Sequence, residues 1–205
     1  MIVMMTTLAF GFDPSKPHTN QGILAPISSA PKAVSLSSAE ESKLKKGNVV
    51  LQSVVDEKTQ SGRGVAVQYI NATEDKVWNT ILNYPKYPDW VDNVVECNVY
   101  KEESSVKYVE MISSVMWIKF GVYTKNYINK DQKYMHWTLD YSRLSDADDL
   151  IGYWRVEQIQ DSPPLTRVDY ATDMKLSGVP DFLASYLTKD ALINGTKWVK
   201  REAEK

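Results

Sequence analysis

The chain of 205 residues contains one cysteine and two histidines. A single thiol, Cys97, excludes an internal disulfide and any cysteine-based zinc site, since both need several thiols. His18 and His136 are the only imidazoles, which leaves little material for a metal centre or for histidine-dependent catalysis, so no metal and no cofactor are expected. Charge of neither sign dominates: 24 Lys and Arg stand against 26 Asp and Glu, a net charge of −2. Without a basic face for phosphate contacts, nucleic acid is not an expected partner. No run of 18 apolar residues is present, and with it no expectation of a transmembrane helix. Aromatic residues are missing from one long stretch. Of 6 Trp, 12 Tyr and 4 Phe, only Phe10 and Phe12 precede Tyr69, so the folded core is expected mainly downstream.

What the first third does contain is leader-like. Met1 to Phe12 is apolar and uncharged, and Ala9-Phe10-Gly11 has the small-x-small form of a signal-peptidase site, but a basic n-region is missing. Two readings stand, a truncated secretory signal implying an exported or periplasmic protein, or a frayed terminus of a cytoplasmic one. Asp13 to Ser38 carries Pro14, Pro17, Pro26 and Pro31 among many Ser, Thr and Asn, the composition of a tether that does not pack. Residues 1–43 are therefore read as a flexible leader and 44–205 as the folded domain.

Ser38 and Glu41 have capping-box spacing for a short helix ending at Gly47. Asn48 to Asp56 and Gly64 to Ile70, rich in Val, read as a β-hairpin with Ser61-Gly62-Arg63-Gly64 as turn. Thr73 can cap a helix carrying Val77, Trp78, Ile81 and Leu82 on one face, which the prolines of Tyr84-Pro85-Lys86-Tyr87-Pro88-Asp89-Trp90 then break. From Val94 to Leu176 the pattern is strand-like. Met135, Trp137, Leu139 and Tyr141 share one face, as do Val168, Tyr170, Thr172, Met174 and Leu176, whereas Arg167, Asp169, Asp173 and Lys175 share the other. This alternation predicts antiparallel strands with one buried and one wet face, at about 93–102, 105–114, 116–128, 133–142, 150–160 and 165–176. A last helix is expected from Pro180 to about Ala203, with Gly195 as a potential bend.

The segments Ala72-Thr73-Glu74-Asp75-Lys76-Val77-Trp78, Tyr84-Pro85-Lys86-Tyr87-Pro88-Asp89-Trp90, Trp137-Thr138-Leu139-Asp140, Gly152-Tyr153-Trp154, Thr166-Arg167-Val168 and Val179-Pro180-Asp181-Phe182 occur in an order that resembles the START-like superfamily. That superfamily includes lipid-transfer START domains, coenzyme Q-binding proteins and polyketide cyclase/dehydrase-like proteins. The resemblance spans roughly Leu44 to Lys200. It implies an α+β helix-grip fold, a curved antiparallel sheet wrapped around a long C-terminal helix, with a cavity for a lipid or another apolar molecule.

On that fold, Trp137, Trp154 and Tyr170 are either core or cavity wall, because the inner face of a gripped sheet serves as both. Met111, Met135 and Met174 suit an adaptable wall. Leu139 continues the same face, Trp90 borders it, and Leu183, Tyr186 and Leu187 form the inner face of the closing helix. These are the candidate ligand-binding residues; no catalytic residue is assigned. His136 and Asp140, roughly 13 Å apart along one strand at 3.3 Å per residue, are too distant to act as an acid–base pair. Asp146, Asp148 and Asp149 suggest a calcium loop, but Leu150 and Ile151 stand where a ligand and the turn glycine belong, so a wet hairpin tip is expected. Arg155 could orient a polar ligand end only if it faced the same way as Trp154, against the alternation. The expected function is binding and transport of a lipid or isoprenoid quinone, with transient membrane contact. The alternative is an aromatase/cyclase-like enzyme for which Tyr170 and Thr172 are the only modest proton-transferring groups.

Overall fold

The computed structural model describes residues 11–56, 61–178 and 191–205. Helix α1 (Ser38–Lys45) precedes the hairpin β1 (Val50–Asp56) and β2 (Ser61–Ile70). Helix α2 (Glu74–Ile81), a 3-10 turn (Tyr84–Lys86) and α3 (Tyr87–Trp90) follow. Six strands come next: β3 (Val94–Glu103), β4 (Val106–Val115), β5 (Ile118–Asn129), β6 (Tyr134–Leu139), β7 (Asp149–Asp161) and β8 (Pro164–Lys175). Helix α4 (Ala191–Ala203) is last. All six strands expected from the alternation are present, and Ser61–Gly64, expected as a turn, belongs to β2. The amino-terminal part of the expected closing helix, with Pro180, Leu183, Tyr186 and Leu187, lies outside the described residues, as does the signal-like segment 1–10.

The strands form one antiparallel sheet in the order β1-β2-β8-β7-β6-β5-β4-β3. Register shifts in β3 and between Gln158 and Gln160 in β7 mark places where the extra residue of a bulge bends a strand. Local chemistry fixes the helix ends. Thr73 accepts a hydrogen bond from the Lys76 N–H and so caps α2. The capping box of α1 is made by Ser37 and Glu40, one residue earlier than expected, because two overlapping Ser-x-x-Glu matches stand side by side. Pro85 and Pro88 each occupy the first turn of their short helix.

Helix α4 crosses the inner face. Gln68 donates to the Thr196 carbonyl (2.7 Å), Lys200 to the Tyr69 carbonyl (2.9 Å), and the Asn71 N–H to Glu204 (2.8 Å). Gly64 permits the close approach, since a Cβ there would stand 2.9 Å from a methyl of Leu192. The principal core fills the space between sheet, α2, α3 and α4, and includes Val77, Trp78, Ile81, Leu139, Val168 and Val199. A smaller cluster of Leu44, Val50, Val65, Val67 and Ala171 lies beneath α1.

The expectation that Asp13 to Ser38 does not pack is corrected. The described part of this segment forms a strap over the sheet's outer side. Phe12 covers Gly121 so closely that a Cβ there would stand 2.5 Å from its ring. Asp13 bridges Leu144, and the buried His18 ring meets the Ala147 carbonyl at 2.8 Å. Leu24 is buried. The acidic cluster expected as a wet tip supplies the anchors. Asp146 accepts the N–H groups of Phe12 and Gly121, and the fully buried Asp149 accepts those of Ile23 (2.7 Å), Leu24 (2.6 Å) and Leu150 (2.8 Å) together with the Tyr141 hydroxyl (2.7 Å). On β8, Asp169 likewise takes the Val34 N–H and pairs with Arg167 at 2.8 Å. The face holding Asp169 is therefore not wet at this position. A buried carboxylate can replace its lost hydration with several converging N–H donors, and the strap supplies them.

Candidate ligand cavity

Between the sheet and the helical layer is a cavity of about 170 Å³. Alternate residues of each strand reach it because successive side chains point to opposite faces. Strand β4 supplies Val109, Met111 and Ser113; β5 supplies Phe120, Val122, Thr124 and Asn126; β6 supplies Met135 and Trp137; β7 supplies Leu150 and Trp154; β8 supplies Tyr170, Thr172 and Met174. The helical side contributes Tyr84, Tyr87, Val91 and Asp92, and α4 contributes Gly195 and Trp198.

Six of the candidate residues are thus brought together on the wall: Met111, Met135, Trp137, Trp154, Tyr170 and Met174. Tyr170 lies between the two tryptophans, 4.4 Å from Trp154 and 5.8 Å from Trp137 between ring centroids. Gly152, paired with Trp137, is what lets that indole lie on the neighbouring strand; a Cβ there would collide with the indole and with the Ala171 carbonyl. Leu139 is fully buried in the core and does not reach the cavity. Trp90 stacks on Trp198 at 6.0 Å outside it, so its part is to seat α4. Leu183, Tyr186 and Leu187 lie outside the described residues.

Other lining residues escape an apolar criterion. Thr124 and Asn126 sit on the same alternation as Phe120 and Val122, which was the available signal. Tyr84 and Tyr87 come from a segment read as a helix breaker and as part of the START-like resemblance, not as cavity wall. Arg155 points away, as the alternation implies: it pairs with Glu157 (2.8 Å) and Asp169 (3.4 Å) on the outer side. His136 also lies on the outer side, its ring stacked 5.0 Å from that of Tyr127. Asp140 instead accepts the Tyr100 hydroxyl (2.8 Å) and pairs with Lys125 (3.4 Å).

The electrostatics of the wall favour neutral groups. Burial pushes the Tyr170 hydroxyl up to about 12 and the Cys97 thiol up to about 12, and it raises Tyr84 and Tyr87 further. Tyr84 donates to the sulfur of Met135 at 3.4 Å, and Tyr87 to the Ile81 carbonyl at 2.6 Å. Asp92 is the one acidic residue among the described lining residues and is exposed at the rim. Ser113 and Ser114 adjoin that rim, the Ser114 N–H donating to the Asn93 carbonyl at 2.7 Å.

No protein-family model matches the chain, and no curated protein is similar to it in sequence. Solved structures are similar in fold. A START superfamily protein from Mycobacterium smegmatis has a TM-score of 0.58 at 13% identity, covering 69% of this chain and 97% of its own. The Zhui aromatase/cyclase from Streptomyces sp. R1128 has 0.57 at 14%, covering 70% and 94%. A STAR-related lipid transfer protein from Xanthomonas axonopodis has 0.56 at 15%, covering 77% and 93%. The chain has the START-like helix-grip fold.

Proposed function

We propose that the chain is a non-enzymatic carrier of one apolar or amphipathic small molecule, a lipid or an isoprenoid quinone, held between the sheet and α4. The observation that carries this reading is the cavity, walled by aromatic and Met side chains where a filled core would otherwise stand. Likeness in fold to a lipid transfer protein adds support. Desolvation of apolar surface, at about 25 cal/mol per Å², would drive binding. An apolar cavity of about 150 Å³ is enough for benzene, so the present volume of about 170 Å³ suits one ring with a short substituent. A longer chain must pass the rim at Val91 and Asp92, or the walls must part.

Loading from a membrane fits the β4–β5 tip. Trp117 is 94% exposed and Met116 67%, three residues from the lining pair Ser113 and Phe120. Trp favours the lipid headgroup level, where its ring meets both apolar and polar surroundings. Native mass spectrometry after gentle purification tests the carrier reading: a co-purifying hydrophobic species is expected, and neither such a species nor uptake from a panel of lipids and quinones would sink it. Replacing Trp117 by Ala should leave stability within about 0.5 kcal/mol, since the side chain touches little, while lowering co-sedimentation with anionic vesicles.

A second reading, an aromatase/cyclase-like enzyme acting on a polyketide-type substrate, is favoured by the hydroxyl and amide groups of Tyr170, Thr172, Thr124 and Asn126 on the wall. Against it, a hydroxyl titrating at about 12 is a poor base near neutrality. Turnover of a poly-β-keto substrate, abolished in Tyr170→Phe, would reverse the ranking.

A further inference from the structure

Asn126 is the one side-chain amide among the described lining residues, and it is only 5% exposed. A side-chain amide offers two N–H donors and one oxygen acceptor, and burial makes each of them costly to leave without a partner. Both donors of Asn126 are engaged by the protein: Nδ2 donates to the Thr124 hydroxyl at 2.9 Å and to the Lys107 carbonyl at 3.3 Å. The Thr124 hydroxyl in turn donates to the Val109 carbonyl at 3.4 Å, so it can take the amide proton and has none left for a ligand. The opposite orientation of the amide would set its oxygen against the Lys107 carbonyl, two acceptors in contact, so the network fixes which end faces the protein. The amide atom left for a ligand is the acceptor, Oδ1.

Its position along the cavity matters as well. Phe120 and Ser113 are paired beside the rim, and Asn126 is six residues further along β5, roughly 20 Å away at 3.3 Å per residue. The acceptor is thus remote from the mouth, among Met135, Trp137 and Val109, where a donor on the ligand would meet little water.

We infer that Asn126 selects ligands whose leading, ring-sized end carries a hydroxyl donor, such as a phenol, over the corresponding hydrocarbon or ether. This rests on the reading of the cavity as a binding site and adds the chemical class of the buried end. A group with acceptors only, such as an ether or the carbonyl of an oxidised quinone, would face Oδ1 with like charge, so of the quinones the reduced, hydroxyl-bearing form is the one whose ring fits this end.

The test uses the full chain, with binding followed by the fluorescence of the lining tryptophans Trp137, Trp154 and Trp198. Toluene, p-cresol and 4-methylanisole are titrated into the wild type and into Asn126→Leu. The ratio of toluene to p-cresol dissociation constants is expected to fall about tenfold in the variant, the scale of one buried hydrogen bond; comparing ratios cancels the different hydration of the two probes. An unchanged ratio overturns the inference. If Asn126→Leu does not fold, the wild type alone still decides: p-cresol should bind at least fivefold tighter than 4-methylanisole, and equal or weaker binding overturns the inference. Binding of toluene without p-cresol also overturns it and leaves the cavity reading intact, whereas binding of neither ring in the wild type removes both.

Discussion

At the scale of the residue, what a side chain does here depends on which face of its strand it occupies. Trp137 and His136 are adjacent in sequence, yet one lines the cavity and the other stacks on Tyr127 outside. The Trp137 indole needs Gly152, so Gly152→Ala should push the ring off the strand and cost about 1–3 kcal/mol, read as a lower urea midpoint with unchanged slope. Burial lowers the pKa of His136, so between that lowered value and the ordinary 6.5 the unfolded chain binds more protons than the folded one. Stability from this residue is complete above 6.5 and is lost as pH falls through the window. The decline in urea midpoint between pH 7 and pH 5.5 should accordingly be smaller in His136→Phe than in the wild type; an equal decline would contradict it. The wall itself was legible as alternation in Met135, Trp137, Tyr170 and Met174. Thr124 and Asn126 were missed because polarity was taken as the mark of the outer face, and a cavity wall does not obey that rule.

At the scale of the element, strands were easier to read than the strap. Period-2 alternation reports a strand's two environments directly, so the six strands from β3 to β8 fell close to their expected spans. The strap has no period. Its order comes from carboxylates more than a hundred residues away, and both the Pro- and Ser-rich segment and the Asp cluster look solvated when judged by composition alone. Packing against one another removes both from water. Asp149→Ala should leave the Ile23, Leu24 and Leu150 N–H groups without their acceptor and cost at least about 2 kcal/mol, with hydrogen exchange of Ile23 and Leu24 accelerating before that of β7 and β8. On the opposite layer, a Cβ at Gly195 would meet nothing within 4 Å among the described residues. Gly195→Ala should therefore stabilise α4 by about 1 kcal/mol, and slower ligand exchange in that variant would identify the glycine as the place where the helix yields.

For the molecule as a whole, the strap and α4 cover the sheet from opposite sides, and the aromatic- and Met-walled hollow lies on the inner side. A protein that keeps a cavity forgoes the dispersion contacts that filling atoms would make, and a bound ligand restores them. Because the ligand would touch six strands, β3 to β8, together with α3 and α4, its binding energy should stabilise the entire domain rather than one segment. At a free concentration one hundred times the dissociation constant, mass action adds about 2.7 kcal/mol. For a domain of this size each kcal/mol raises the midpoint by roughly 2–4 °C, so the expected rise is about 5–10 °C with a single transition retained. Calorimetry with and without the bound species reads both quantities. A separate early transition that the ligand leaves unmoved would mean that the strap unfolds independently of the cavity, whereas one shifted transition would show that the two sides of the sheet act as one cooperative unit.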